Sequence, residues 1–121
     1  MKLLIPLILS TLIFTDQTKS EDREPYVLEV TTFSYKAKVD AELFWSEDAK
    51  VEANYTSKQP GFISRESGYS KETNEVVVVV RWKTTEAADA SMQKFMEDTT
   101  VSNYVMMIEG STMKMSRYDV R

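Results

Sequence analysis

The chain has 121 residues, and neither cysteine nor histidine is among them. Without cysteine there is no disulfide framework and nothing to misoxidise outside the cytoplasm. Without histidine there is no zinc finger, no histidine-ligated metal and no Ser-His-Asp triad. Basic residues are nowhere gathered into a block and the formal net charge is −4, which argues against nucleic acid, since phosphate rewards clustered Lys and Arg. There is no internal repeat and no low-complexity segment. No pair of carboxylates stands at a spacing that singles it out: Glu47 and Asp48, like Glu29 and Asp119, read as ordinary surface charge. The methionines, seven in all, read as core and interface filler. No metal or cofactor is expected.

The first twenty residues read as an address. Lys2 precedes an apolar run from Leu3 to Phe14, and Thr18-Lys19-Ser20 sets small residues at the −3 and −1 positions of a cut before Glu21. The run is short of the ~20 residues that span a bilayer, so no stable span is expected after removal. The alternatives are an uncleaved anchor or a buried first strand. The expected organisation is a signal peptide over 1–20, a lead-in over 21–25 and one domain over 26–121, with the mature chain secreted or periplasmic.

Tyr26 to Tyr35 is rich in β-branched and aromatic residues and predicts a strand. Its apolar parity passes from Leu28 and Val30 to Phe33 and Tyr35, which suggests a bulge or a strand buried on both sides. Asp40 can cap a helix to about Tyr55. Ala41, Phe44, Val51 and Tyr55 recur near helical spacing with Trp45 beside them, and Glu42, Glu47, Asp48, Lys50 and Glu52 supply the wet side. Ser57 to Gly61 breaks the chain. Phe62 to Tyr69 and Val76 to Trp82 form strands about a polar loop. Thr84 or Thr85 caps a helix whose apolar stripe is Ala88, Met92, Phe95 and Met96. A short helix over Val101 to Ile108, stopped by Gly110, precedes a last strand over Ser111 to Val120. The match of Asn54-Tyr55-Thr56 to a glycosylation acceptor reads as chance.

The order β-α-β-β-α-β predicts an α+β, ferredoxin-like fold: an antiparallel four-stranded sheet with helices on one face, the first and third strands central. Val76 to Val80 are consecutive valines on the third strand. Alternate side chains of a strand point to opposite faces, so helices cover only some of them. The rest, with Met113 or Met115 and some aromatics, would form an apolar patch rare on a monomer. The simplest cover is a second copy about a two-fold axis, hence a homodimer; a long loop or the lead-in is the alternative.

Pro60-Gly61-Phe62 opens the second strand, Arg81-Trp82 ends the third, and Thr84-Thr85-Glu86-Ala87-Ala88 starts the helix that Phe95 nearly closes. In this register the stretch resembles the antibiotic biosynthesis monooxygenase-like (ABM) domain of the dimeric α/β-barrel superfamily, over about residues 26–120. Some members of that family oxidise polycyclic phenols with oxygen and no cofactor, others degrade haem, and many small members have no assigned activity. The haem-degrading branch implies a histidine ligand, which this chain lacks, and nothing motivates a methionine ligand from Met106, Met107, Met113 or Met115.

Cofactor-free oxidation of a phenol needs an apolar pocket, a group that takes the phenol proton and a donor for the developing anion. In the oxidising members Trp, Tyr, Asn and Arg do such work. The resemblance implies weak catalytic candidates at Trp82, Arg65, Tyr69 and Asn103, and a ligand pocket of Phe33, Tyr35, Trp82, Met92 and Tyr104. Each also reads as packing, sheet surface or solvated charge. Three functions stay open: an exported protein that binds a small apolar or aromatic molecule between sheet and helices or at the dimer core, a cofactor-independent monooxygenase acting on a quinol or polyphenol, and a structural or partner-binding protein.

Overall fold

The structure, a computed structural model, describes residues 24–121; the expected signal peptide lies outside the described residues. The elements run β1 (Tyr26–Tyr35), α1 (Ala41–Asn54), β2 (Phe62–Ser70), β3 (Glu75–Trp82), α2 (Thr85–Phe95), α3 (Ser102–Met107) and β4 (Ile108–Val120). Short 3-10 turns follow α1 at Thr56–Lys58 and precede α3 at Thr99–Val101. The strands form one antiparallel sheet in the order β2-β3-β1-β4, so β1 and β3 are central, as the ferredoxin-like order requires. Among the described residues no helix is long and apolar enough to cross a membrane.

Local chemistry sets the ends of these elements. The Asp40 carboxylate accepts from the Leu43 amide at 3.0 Å, and Thr84 Oγ1 accepts from the Ala87 amide at 3.1 Å. Each satisfies an amide that the first helical turn leaves without a partner. The β2–β3 loop closes on Asn74, whose φ of +58° a short polar side chain tolerates. The expected helix through Ile108 ends one residue earlier, and Gly110 lies inside β4. Instead of a glycine stop, Ile108 enters the sheet opposite Tyr35, where its side chain is buried.

The valine run alternates as a strand must. Val76, Val78, Val80 and Trp82 are buried beneath the helices, while Val77 and Val79 point to the other face and are only half-buried. Phe44, Val51 and Tyr55 from α1, Ala88 from α2 and Tyr104 from α3 complete the core. On β1 the helix-facing set is Val27, Glu29, Thr31, Phe33 and Tyr35, and Leu28 and Val30 join Val77 and Val79 on the open face. The change of apolar parity along β1 is therefore two-sided burial, not a bulge in that strand: polar Glu29 and Thr31 occupy core-facing positions. The register slip lies opposite, where Lys114 pairs with Thr32 but Glu109 pairs with Ser34. Thr112 Oγ1 fills the gap, accepting from the Ser34 amide at 2.9 Å. Met115 pairs with Thr31 and so lies on the helix side rather than on the open face.

Gly61 explains why the Pro-Gly-Phe turn and the Ala-Ala pair go together. Its φ is +82°, and a Cβ there would lie 2.5 Å from the Ala87 Cβ. The Lys83 amide donates to the Gly61 carbonyl at 2.8 Å, clamping the turn against the start of α2. Gly61→Ala is predicted to destabilise the fold by roughly 2–4 kcal/mol through strain and overlap. Gly110→Ala, with nothing within 4 Å of a built Cβ, should stay within about 0.5 kcal/mol. Urea unfolding of the two variants measures the difference.

Candidate functional site

The helix stripe of α1 contains an acid. Phe44, Asp48, Val51 and Tyr55 fall at i, i+4, i+7 and i+11, and all four are buried. Asp48 was expected on the wet side; it faces the sheet because Arg65, on the helix-facing side of edge strand β2, meets it there. The Arg65 guanidinium donates to both carboxylate oxygens, at 2.8 and 3.2 Å. The Tyr104 hydroxyl from α3 donates to Asp48 Oδ1 at 2.8 Å. Arg65 also donates to Ser67 Oγ at 3.2 Å. Arg65 too is buried, where the sequence allowed a solvent-facing charge. Among the described residues no buried side-chain polar atom lacks a partner.

The electrostatics follow from this closure. Burial works to raise the Asp48 carboxyl, but the hydrogen bonds and charge of Arg65, with help from Tyr104 and Ser67, outweigh it and hold the group below the usual carboxylate range. Burial likewise pulls on the Arg65 guanidinium, and Asp48 more than offsets it, so that Arg65 stays charged. Burial first, and then the adjacent Asp48 charge, push the Tyr104 phenol well above its ordinary value. Tyr104 is therefore a fixed donor and Asp48 a committed acceptor; neither is free to act as a base.

On its outer side this network borders a groove of about 370 Å³ between α1 and β2. Trp45 forms one wall, Asp48 and Ser67 line the inner side, and Glu52 and Ser57 stand at the rim; Ala49 and Ala53, being small, leave the space open. The Trp45 ring meets Phe44 edge-on at 5.0 Å. Phe44, fully buried, is the hub of an aromatic cluster with Phe33 at 5.9 Å, Tyr35 at 4.9 Å and Tyr104 at 5.3 Å. A second hollow, of about 320 Å³, lies where Tyr26 and Val27 meet Lys83 to Thr85 and Asp119 to Arg121.

The residues expected from the sequence divide among these places. Arg65 and Tyr104 come together on Asp48 behind the groove. Phe33 and Tyr35 belong to the aromatic cluster, so the chain's own rings fill the space between the sheet and α1. Tyr69 stacks on Tyr35 at 6.1 Å and bonds Asn74 at the hairpin. Asn103 is exposed on α3. Trp82 is buried in the core, its indole N–H donating to Glu29 Oε1 at 3.3 Å, and Met92 is half-buried on α2.

Glu29 is a second departure from surface charge. It is buried and accepts from Arg117 Nε at 2.8 Å, while Arg117 also bonds Asp89 of α2. The groove residues Trp45, Asp48 and Ser67 were not expected as a site; the signal for Asp48 was its place in the apolar stripe of α1. At the glycosylation match, Tyr55 and Thr56 are buried, and the Tyr55 hydroxyl donates to the Ser91 carbonyl at 2.6 Å.

The whole of this architecture recurs in solved structures. SnoaB, a cofactor-independent oxygenase from Streptomyces nogalater, superposes with a TM-score of 0.62 at 18% identity, covering 79% of this chain and 93% of that one. The chain has the ABM-like fold. A protein of Bordetella bronchiseptica, described provisionally as an antibiotic biosynthesis monooxygenase, gives 0.59 at 14% identity, covering 78% of this chain and 96% of that one. A dimeric ferredoxin-like protein from an uncultured marine organism gives 0.59 at 12% identity, with coverage of 81% and 90%. No protein-family model matches the sequence, and no curated protein does. At these identities the likeness is one of fold.

Asp48→Ala strips a buried guanidinium of its two-oxygen partner, leaving it only the longer contact to Glu52, and is predicted to destabilise the domain by about 3 kcal/mol. The pH dependence has a definite sign. A folded pKa below the unfolded one gives stability that is full above the unfolded value and is lost as pH falls toward the folded one. An unperturbed aspartate titrates at about 3.9, so the Asp48 contribution should fade as pH drops below about 4–5. Urea midpoints measured against pH should show a shallower acid slope in Asp48→Asn than in the parent.

Proposed function

We propose that this chain is an exported homodimeric protein of the ABM-like fold that binds a small molecule with an aromatic or apolar body, and that the α1–β2 groove is its site. The groove carries the reading. It is large enough for a small ring system, has an indole wall, and ends on a rigid, fully hydrogen-bonded polar floor. Export rests on the signal grammar of residues 1–20. The dimer rests on Leu28, Val30, Val77 and Val79, which lie together on the face opposite the helices, and on the dimeric state of the marine ferredoxin-like neighbour.

Binding without chemistry is favoured because the polar groups at the floor are spent. Asp48 is held by two donors and Tyr104 stays protonated, so neither can take a phenol proton. A second reading, cofactor-independent oxidation of a quinol or polyphenol, draws on the likeness to SnoaB. Under it Arg65, Tyr69, Trp82 and Asn103 are the side chains to substitute.

One experiment separates these readings. The mature chain is titrated with a panel of phenols, quinols and naphthols in aerobic buffer, following tryptophan fluorescence and oxygen together. Trp45 at the groove reports, while buried Trp82 gives a background. A saturable change without oxygen uptake, abolished by Ala49→Leu, supports a binding protein; uptake with product formation supports the oxygenase. The groove reading is contradicted by an absence of saturable change across the panel, or by a change that Ala49→Leu does not alter. By light scattering the mature chain should have twice the protomer mass, and Val79→Asp should halve it.

A further inference from the structure

We infer that the groove selects a cation: a small amine carried on a flat apolar body. This rests on the groove being the binding site, as proposed above. The groove's lining is rich in acceptors and poor in donors. Ser57 Oγ gives its proton to the Ala53 carbonyl at 3.1 Å, which leaves its lone pairs outward. Ser67 Oγ already accepts from Arg65. Asp48 accepts from Arg65 and Tyr104, and its charge is cancelled by Arg65 at bonding distance.

Glu52 shares Arg65 with Asp48, so two carboxylates and one guanidinium leave one net negative charge here. The Arg65 nitrogen nearest Glu52 is 3.7 Å away, and the Glu52 side chain is 45% exposed, so its lone pairs remain available. No lysine or arginine lines the groove; on the same helix Lys50 reaches Glu47 instead. Trp45 lines the same groove, and an aromatic π face attracts a cation and repels an anion. An ammonium brings three donors and one positive charge to a place with free acceptors and one net negative charge. A carboxylate or phenolate would meet Glu52 with nothing to pair it.

The test is isothermal titration at low salt with tyramine and 4-propylphenol, which share a ring and differ by ammonium against methyl, on the parent, Glu52→Gln and Ala49→Leu chains. Tyramine should bind about tenfold tighter than 4-propylphenol. Glu52→Gln should bring the two within about twofold, and added salt should narrow the gap. Equal or tighter binding of the neutral phenol to the parent overturns the inference while leaving the groove in place. So does a tenfold gap that survives Glu52→Gln. Binding of neither compound, or binding indifferent to Ala49→Leu, removes the groove itself and the inference with it.

Discussion

The Asp48–Arg65 pair is the constraint on which the α1–β2 side of this molecule depends. It buries two opposite charges where an apolar contact would serve, and that is tolerable because both carboxylate oxygens and both terminal guanidinium nitrogens find partners. The forked guanidinium matches the carboxylate on two oxygens, and Tyr104 closes the remaining approach. Three elements are tied by it: α1 through Asp48, edge strand β2 through Arg65 and α3 through Tyr104. The groove is the space left on the outer side of this tie, where Ala49 and Ala53 are too small to cover what Asp48 holds together.

The opposite edge of the sheet repeats the device with the partners rearranged. On β4, also an edge strand, Arg117 bonds buried Glu29 of β1 and reaches Asp89 of α2. Trp82 donates to the same Glu29 from β3. An arginine on each edge strand thus fixes the neighbouring helix, while the two central strands carry the apolar core between them. The core side of β3 is Val76, Val78, Val80 and Trp82. Its other side leaves Val77 and Val79 beside Val30 and Leu28, an arrangement suited to a second sheet.

The fold was legible because its signals are local and periodic. Asp40 and Thr84 cap the helices they were expected to cap, the strand order follows from the element order, and the Gly61–Ala87 contact gives a physical reason for the motif that carried the family resemblance. The site was less legible. Asp48 and Glu29 look like surface charge when judged by residue type alone. Their positions say otherwise, since Asp48 falls in the stripe of Phe44, Val51 and Tyr55, and Glu29 in the row of Val27 and Phe33. An acid at a core position needs a buried cation, and the arginines that supply it lie 17 and 88 residues away, a separation no periodicity reveals. Phe33, Tyr35 and Tyr104 were expected to line a ligand pocket; they pack on Phe44, a member of the expected α1 stripe, and their rings occupy the space around it.

Asp48 and Arg65 act as one unit. A double-mutant cycle of Asp48→Ala and Arg65→Ala, read by urea unfolding, measures that directly. The double variant should be less destabilised than the sum of the singles by roughly 2–4 kcal/mol, because each single change strands a buried charge. Additivity to within about 0.5 kcal/mol would mean the two side chains do not hold each other, and the polar floor of the groove would go with them.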